Sequence, residues 1–217
     1  MNGTVKRGFI TSCCIIANFV RIISGKKSVF LVALAVIWLL SAGLGLWMFS
    51  SREFKPDAAG SPKASWPADT TLQRQAGGFT LVIVVHPECP CSQATLGELD
   101  AIMAQSAGRL KAEVLCVDYA GLPEPVAESR IWRRAARIPG VAVTRDLDGM
   151  EAHRFAARTS GEVRLYGPDG ALRFHGGITS ARGHSGANPG STAVMDIVLG
   201  RPGAHPPGST PVFGCSL

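Results

Sequence analysis

Residues Phe79 to Met103 read FTLVIVVHPECPCSQATLGELDAIM. The opening FTLVIVV is a continuous apolar, β-branched run, the pattern of a strand buried on both faces. The period then changes. Leu96, Leu99, Ile102 and Met103 fall on one helical face, and Gly108 ends the pattern. Between strand and helix lies a turn with two cysteines one residue apart, Cys89-Pro90-Cys91. If the helix opens with Pro90 at its first position, where a missing N–H costs nothing, Cys89 is the N-cap residue. Its sulfur then faces free backbone N–H groups and the positive end of the helix dipole. Both favour a thiolate, so Cys89 is the expected nucleophile.

Working outward, AEVLCVDY (112–119) is a second buried strand and PVAESRIWRRAARI (125–138) a basic amphipathic helix. GVAVTRD gives a third strand and MEAHRFAAR a short helix. GEVRLYGPDGALRFHGG is a β-hairpin turning at Pro168-Asp169-Gly170, and Thr192–Leu199 a last helix. Strands alternating with helices, then a hairpin and a helix, predict an α/β sandwich with a mixed sheet.

The flanks have other chemistry. Ser28 to Ser50, SVFLVALAVIWLLSAGLGLWMFS, carries no charge and is long enough to cross a hydrocarbon core, so it reads as a transmembrane helix. Lys6, Arg7, Arg21, Lys26 and Lys27 precede it, and only Arg52, Lys55 and Lys63 follow closely. That asymmetry puts the N-terminus in the cytoplasm and the rest outside. The apolar run is longer than a signal-peptide core and no A-x-A site follows, which favours an uncleaved anchor. Five of the 22 Lys and Arg lie in the first 50 residues with no acidic side chain, leaving 17 basic against 16 acidic groups in the remainder. The basic excess of +6 is therefore mostly the N-terminal segment, and the sequence carries no overall nucleic-acid footprint. The organisation expected is a cytoplasmic segment (1–27), a transmembrane helix (28–50), a flexible Pro/Gly/Ser linker (51–77), a folded domain (78–200) and a Pro/Gly-rich tail (201–217) ending near Cys215. The patch GFITSCCIIANFV before the helix is expected at the membrane surface, with Cys13 and Cys14 on the reducing side.

The element order, with cysteines where the first central strand meets its helix, resembles the thioredoxin-like superfamily. HPECPCS, TSGEVRLYGPDG, FHGGITSARGH and the terminal TPVFGC further resemble its membrane-anchored RedB-like branch. The resemblance implies a three-layer α/β sandwich with a mixed central sheet and a thiol-disulfide oxidoreductase activity, or a thiol peroxidase-like one. Partners would then be extracytoplasmic protein thiols or disulfides, or peroxide, with no cofactor. Such proteins usually carry C-x-x-C; here Ser92 stands where the second cysteine belongs, and Cys91 comes one residue early. Two uses of the turn stay open. One is a strained Cys89–Cys91 couple around a proline of fixed φ; the other is a single thiol resolved by another cysteine or an external thiol.

The resemblance also implies that the loops before the penultimate strand and after the last strand lie beside the cysteines. In the first, Ser160-Gly161 occupies a spot where a cis-proline is common. The second runs from Gly176 and Gly177 through Arg182 and His184, either of which could sit near Cys89 and favour its thiolate. Cys215, on its tail, is suited to resolve Cys89 or Cys91, whereas Cys116 lies in an apolar strand and reads as core. A competing class is a copper-binding chaperone or assembly factor, since His86, Cys89 and Cys91 offer three soft ligands close together. Bland readings stand beside these: a turn filled by two small side chains, a His that caps a strand end, and a plain surface loop. Arg130, Arg133, Arg134 and Arg137 read as a solvated basic face.

Overall fold

Lys26–Glu53 is one continuous helix, α1, long and apolar enough to cross a membrane, with a mean hydropathy of 2.5 over its most apolar 18 residues. It closes one unit of the chain, and a second runs from Glu53 to Leu217. The computed structural model describes residues 26–122, 124–201 and 208–217. The expected cytoplasmic segment, with Cys13, Cys14 and the patch around them, thus lies outside the described residues apart from its last two. So does the 202–207 part of the tail.

The second unit is built on a five-stranded sheet in the order β3-β2-β1-β4-β5. The strands are β1 (Phe79–Val85), β2 (Leu110–Asp118), β3 (Val141–Leu147), β4 (Val163–Tyr166) and β5 (Leu172–Gly176). β1, β2 and β3 run parallel, with Ile83 opposite Val114 and Val114 opposite Val143. β4 joins β1 antiparallel, with Val82 opposite Arg164, and β5 follows it as a hairpin. The unbroken apolar run of β1 fits this central place, because alternate residues serve two cores. Leu81, Ile83 and Val85 pack under α2 (Pro90–Gln105), α3 (Arg130–Ala135) and α5 (Pro189–Leu199). Val82 and Val84 face α4 (Met150–Arg154) and the Phe155 that follows it. The result is a three-layer thioredoxin-like sandwich with a mixed sheet.

Several sequence-based boundaries move. The helix expected over 125–138 is a 3₁₀ turn (Val126–Glu128) followed by α3. Ser129 divides them: its backbone is extended and its hydroxyl caps the Trp132 N–H at 3.2 Å. α4 stops short of the expected 158 because Ala156 takes a positive φ. α5 starts three residues earlier than Thr192, with Pro189 in its first turn and Asn188 as its cap.

The larger correction concerns the flanking segments. Residues from Asp57 to the start of β1 are not a free linker but a strap bonded along the domain. Asp57 donates its backbone N–H to the Val212 carbonyl at 2.8 Å, and Gly60 donates to Glu162, which is ion-paired with Arg164 in a fully buried couple. Trp66 wedges against Phe155 and Tyr166, each ring centroid 5.1 Å away. Thr70 and Thr71 close the strap on the Glu151 carboxylate. Composition alone gave these residues the look of a linker. Their partners stand about a hundred residues away in sequence, where local patterning has no reach.

The described end of the tail also packs. On the open side of β5 His175 donates its N–H to the Gly208 carbonyl and accepts the Thr210 N–H, and Val212 and Phe213 are buried. Gly176 and Gly177 make this approach possible, since a Cβ at either would lie 2.6 Å or less from backbone atoms of Thr210 or Pro211. Both glycines thus admit the tail against β5. The domain therefore spans more than the expected 78–200.

Candidate active site

β1 ends at Val85 and hands the chain to a tight turn in which the Cys89 N–H bonds the His86 carbonyl at 3.1 Å. Cys89 has the extended backbone of an N-cap (φ −77°, ψ 118°), and Pro90 opens α2. Ser92 donates its N–H to the Cys89 carbonyl. Its hydroxyl, fully buried, meets the Ser160 hydroxyl at 2.9 Å, and that hydroxyl accepts the His86 N–H at 2.9 Å. A hydroxyl pair thus ties the cysteine turn to the loop before β4. Gly161 continues that loop with a positive φ and donates to the Val84 carbonyl, which fixes the loop against β1.

Three thiols meet here. Cys89 and Cys91 are only 2% and 6% exposed, and the exposed Cys215 of the tail lies against Cys89. The Cys89 pKa falls to about 4, chiefly because the Cys91 thiol hydrogen-bonds the thiolate. Burial opposes the fall, and the Cys215 thiol and the backbone N–H groups of Cys91 and Cys215 add to it. The Cys91 amide, in the first helical turn, thus contributes less than the Cys91 thiol. The helix end expected to favour the thiolate is the smaller cause, and the neighbouring thiol the larger. Cys91 is driven strongly upward by the same hydrogen bond, then by burial and the Cys89 charge, while the Gly183 N–H partly offsets this. Burial, followed by the bond to Cys89, pushes Cys215 up to about 11, with Arg182 acting the other way. Of the three thiols Cys89 is therefore the first to lose its proton.

The tail is held from two sides. The Ser160 N–H bonds the Cys215 carbonyl at 2.8 Å and the Leu217 N–H bonds the Arg158 carbonyl at 3.0 Å, so Thr159 and Ser216 form an antiparallel bridge. On the other side Arg182 bonds the Gly214 carbonyl at 2.7 Å and pairs with Asp57, whose second oxygen takes the Gly214 N–H at 2.9 Å.

The other residues singled out in the sequence fall in different places. Arg182 interacts by charge with Cys91 and Cys215. His184 is exposed, bonded to the Arg182 carbonyl and 3.8 Å from Glu53. His86 turns away from the cysteines: its Nε2 meets the Tyr119 hydroxyl at 2.8 Å and its Nδ1 accepts the Glu88 N–H. Among the described residues no group of three or more His, Cys, Asp or Glu side chains is placed to hold a metal ion. Cys116 is fully buried in β2, its thiol pushed up to about 12 by burial. Asp57, Arg158, Thr159 and Gly183 escaped sequence reasoning. Asp57 lies in apparent linker, Arg158 and Gly183 act through their backbones, and the Thr159 hydroxyl donates to the Ala58 carbonyl.

A thioredoxin-like domain with a thiolate at the head of its first domain helix and two further thiols against it is the class that fold and site define. No protein-family profile matches the chain, and no curated protein matches it. Solved structures do. A hypothetical protein from Sinorhizobium meliloti 1021 aligns with a TM-score of 0.58 at 18% identity, over 75% of this chain and 97% of that one. A conserved protein from Geobacillus kaustophilus gives 0.51 at 14%, over 75% and 91%. A secreted Mycobacterium tuberculosis disulfide oxidoreductase homologous to E. coli DsbE gives 0.42 at 13%, over 58% and 83%.

Proposed function

We propose that the chain is a membrane-anchored thiol-disulfide oxidoreductase of the RedB-like kind, its folded unit on the extracytoplasmic side, with Cys89 as nucleophile and Cys215 as resolving thiol. What carries this is the placing of the buried Cys89 at the N-cap of α2 beside Cys91 and the tail's Cys215, with its pKa lowered to about 4 chiefly by the Cys91 thiol. The Cys89 sulfur attacks one sulfur of a substrate disulfide, forming a mixed disulfide and releasing the other as a thiolate that takes up a proton. With its charge spent, Cys89 no longer raises the Cys215 pKa, and Arg182 still lowers it. Cys215 then loses its proton and attacks the Cys89 sulfur. The Cys89–Cys215 disulfide forms, the second substrate thiolate leaves, and two electrons have passed to the substrate. An external dithiol returns them. With a peroxide, the first step yields the Cys89 sulfenate and an alcohol or water, and the second yields the same disulfide and water.

Cys91 remains as proton donor to the Cys89 thiolate, a role that suits a thiol held protonated. Ser92 and Ser160 position the turn.

The test is mass spectrometry of thiol-trapped full-length protein during turnover, with metal analysis on the same samples. Cys215→Ser should accumulate a mixed disulfide on Cys89, and Cys89→Ser should trap nothing. Full activity in Cys89→Ser sinks the reading. Equimolar copper that His86→Ala abolishes would establish the chaperone class in its place. A periplasmic-type reporter fused after Leu217 should be active; a signal only from a cytoplasmic reporter overturns the orientation.

A further inference from the structure

The bonds holding the tail beside Cys89 have a chemistry of their own. Ser160 N–H to Cys215 C=O and Leu217 N–H to Arg158 C=O are main-chain bonds in antiparallel register. Bonds of that kind use nothing specific to this tail, and any extended chain can make them. The residue that supplies the first of these carbonyls is Cys215, and its thiol is a hydrogen-bond partner of Cys89. Close contact of tail and loop is secured at Gly214, where a Cβ would stand 1.8 Å from the Ser160 carbonyl oxygen. Access follows from the same arrangement: Cys89 is 2% exposed while Cys215 outside it is open to solvent, so the tail forms part of the cover over the nucleophile.

We propose that the Arg158–Ser160 backbone is a strand-binding edge for an extended, cysteine-bearing polypeptide, that the chain's own Gly214–Leu217 is its resident occupant, and that a polypeptide substrate reaches Cys89 by displacing it. The redox outcome after displacement rests on the oxidoreductase reading above; the exchange of strands does not. An incoming strand takes over the two main-chain bonds and sets its disulfide sulfur where the Cys215 sulfur lay. No bond other than hydrogen bonds changes in this step. A low-molecular-weight disulfide has no strand to exchange and needs only a brief opening. The latch is the Asp57 carboxylate. It holds Arg182 and the Gly214 N–H together, so the strap that follows α1 decides how firmly the tail covers the site.

Two variants loosen the tail without touching a cysteine. Asp57→Ala removes the carboxylate, and Leu217→Pro removes the N–H given to Arg158 from an exposed residue. The full-length reduced protein in detergent is treated with a bulky polymer-linked maleimide, above the Cys89 pKa in every form, and Cys89 is followed by peptide mapping. Each lost hydrogen bond shifts the opening equilibrium by about three- to tenfold, so Cys89 labelling should accelerate by about that factor in both variants. Reduction of insulin, with dithiothreitol as electron source, should rise in step, while reduction of oxidised glutathione changes less than about twofold. Unchanged labelling in both variants overturns the proposal. Equal acceleration of insulin and glutathione reduction overturns the strand-exchange half, because the tail would then shield Cys89 from every reagent alike. Accelerated labelling with no turnover of either disulfide, in wild type and variants, supports the latch and sinks the oxidoreductase reading alone.

Discussion

At the scale of single residues, the chemistry turns on where one proton is missing. Cys89 keeps its negative charge to about pH 4 because the Cys91 thiol donates to it, and only then because Cys215 and two backbone amides do. Removing the first donor should therefore matter more than removing the second. In Cys91→Ala the midpoint of Cys89 alkylation should move up from about 4 toward the ordinary thiol range, by more than in Cys215→Ala. The sign follows from the reacting form. Thiolate persists above the pKa and is lost as pH falls through it, so wild-type Cys89 should still react in mildly acidic buffer, where a Cys91→Ala protein has slowed. Cys116, pushed up to about 12, should stay inert throughout that range. A midpoint indifferent to Cys91 would assign the depression to the helix end instead. The N-cap position itself was legible from Cys89-Pro90 and the change of period after it. The donor was not, because sequence spacing does not say which way the Cys91 side chain turns.

At the scale of elements, the reading from periodicity succeeds where a segment's own residues decide its structure. β1 is apolar throughout because it faces two cores, and α2 shows its buried stripe at Leu96, Leu99 and Ile102. Periodicity fails at Ser129, where a hydroxyl captures the Trp132 amide and splits one expected helix, and most of all in the strap before β1. There the ordering force comes from outside: Trp66 finds Phe155 and Tyr166, Gly60 finds Glu162, and Thr70 and Thr71 find Glu151. If this strap belongs to the domain, Trp66→Ala should lower its stability by about 3 kcal/mol, the low end for a large aromatic because Trp66 is only partly buried. Urea unfolding of the full-length protein measures it. A change within about 0.5 kcal/mol, typical of a surface site, would return residues 57 to 77 to the status of a linker.

At the scale of the whole unit, its two flanks meet beside the nucleophile. Asp57, near the start of the unit, bonds Val212 and Gly214, and Gly214 leads directly to Cys215 on Cys89. A Cys89–Cys215 disulfide would therefore tie the head of α2 to the last residues of the described chain, closing a loop that includes nearly the whole sandwich. In the chain-entropy model a loop of this length stabilises the folded state by about 4 to 5 kcal/mol, all of it through the unfolded chain. The expected result is asymmetric. Oxidised wild-type protein should unfold at markedly higher urea than reduced protein, whereas Cys215→Ser should show no such gap, because a Cys89–Cys91 link closes too short a loop to matter comparably. The reduced forms of the two should differ little, since Cys215 is exposed and its thiol supplies only one of several bonds to Cys89. Non-reducing peptide mapping of the same samples identifies the link. A redox gap that survives in Cys215→Ser, or Cys215 found free in the oxidised wild type, would remove Cys215 from the cycle and leave Cys91 or an external thiol to resolve Cys89.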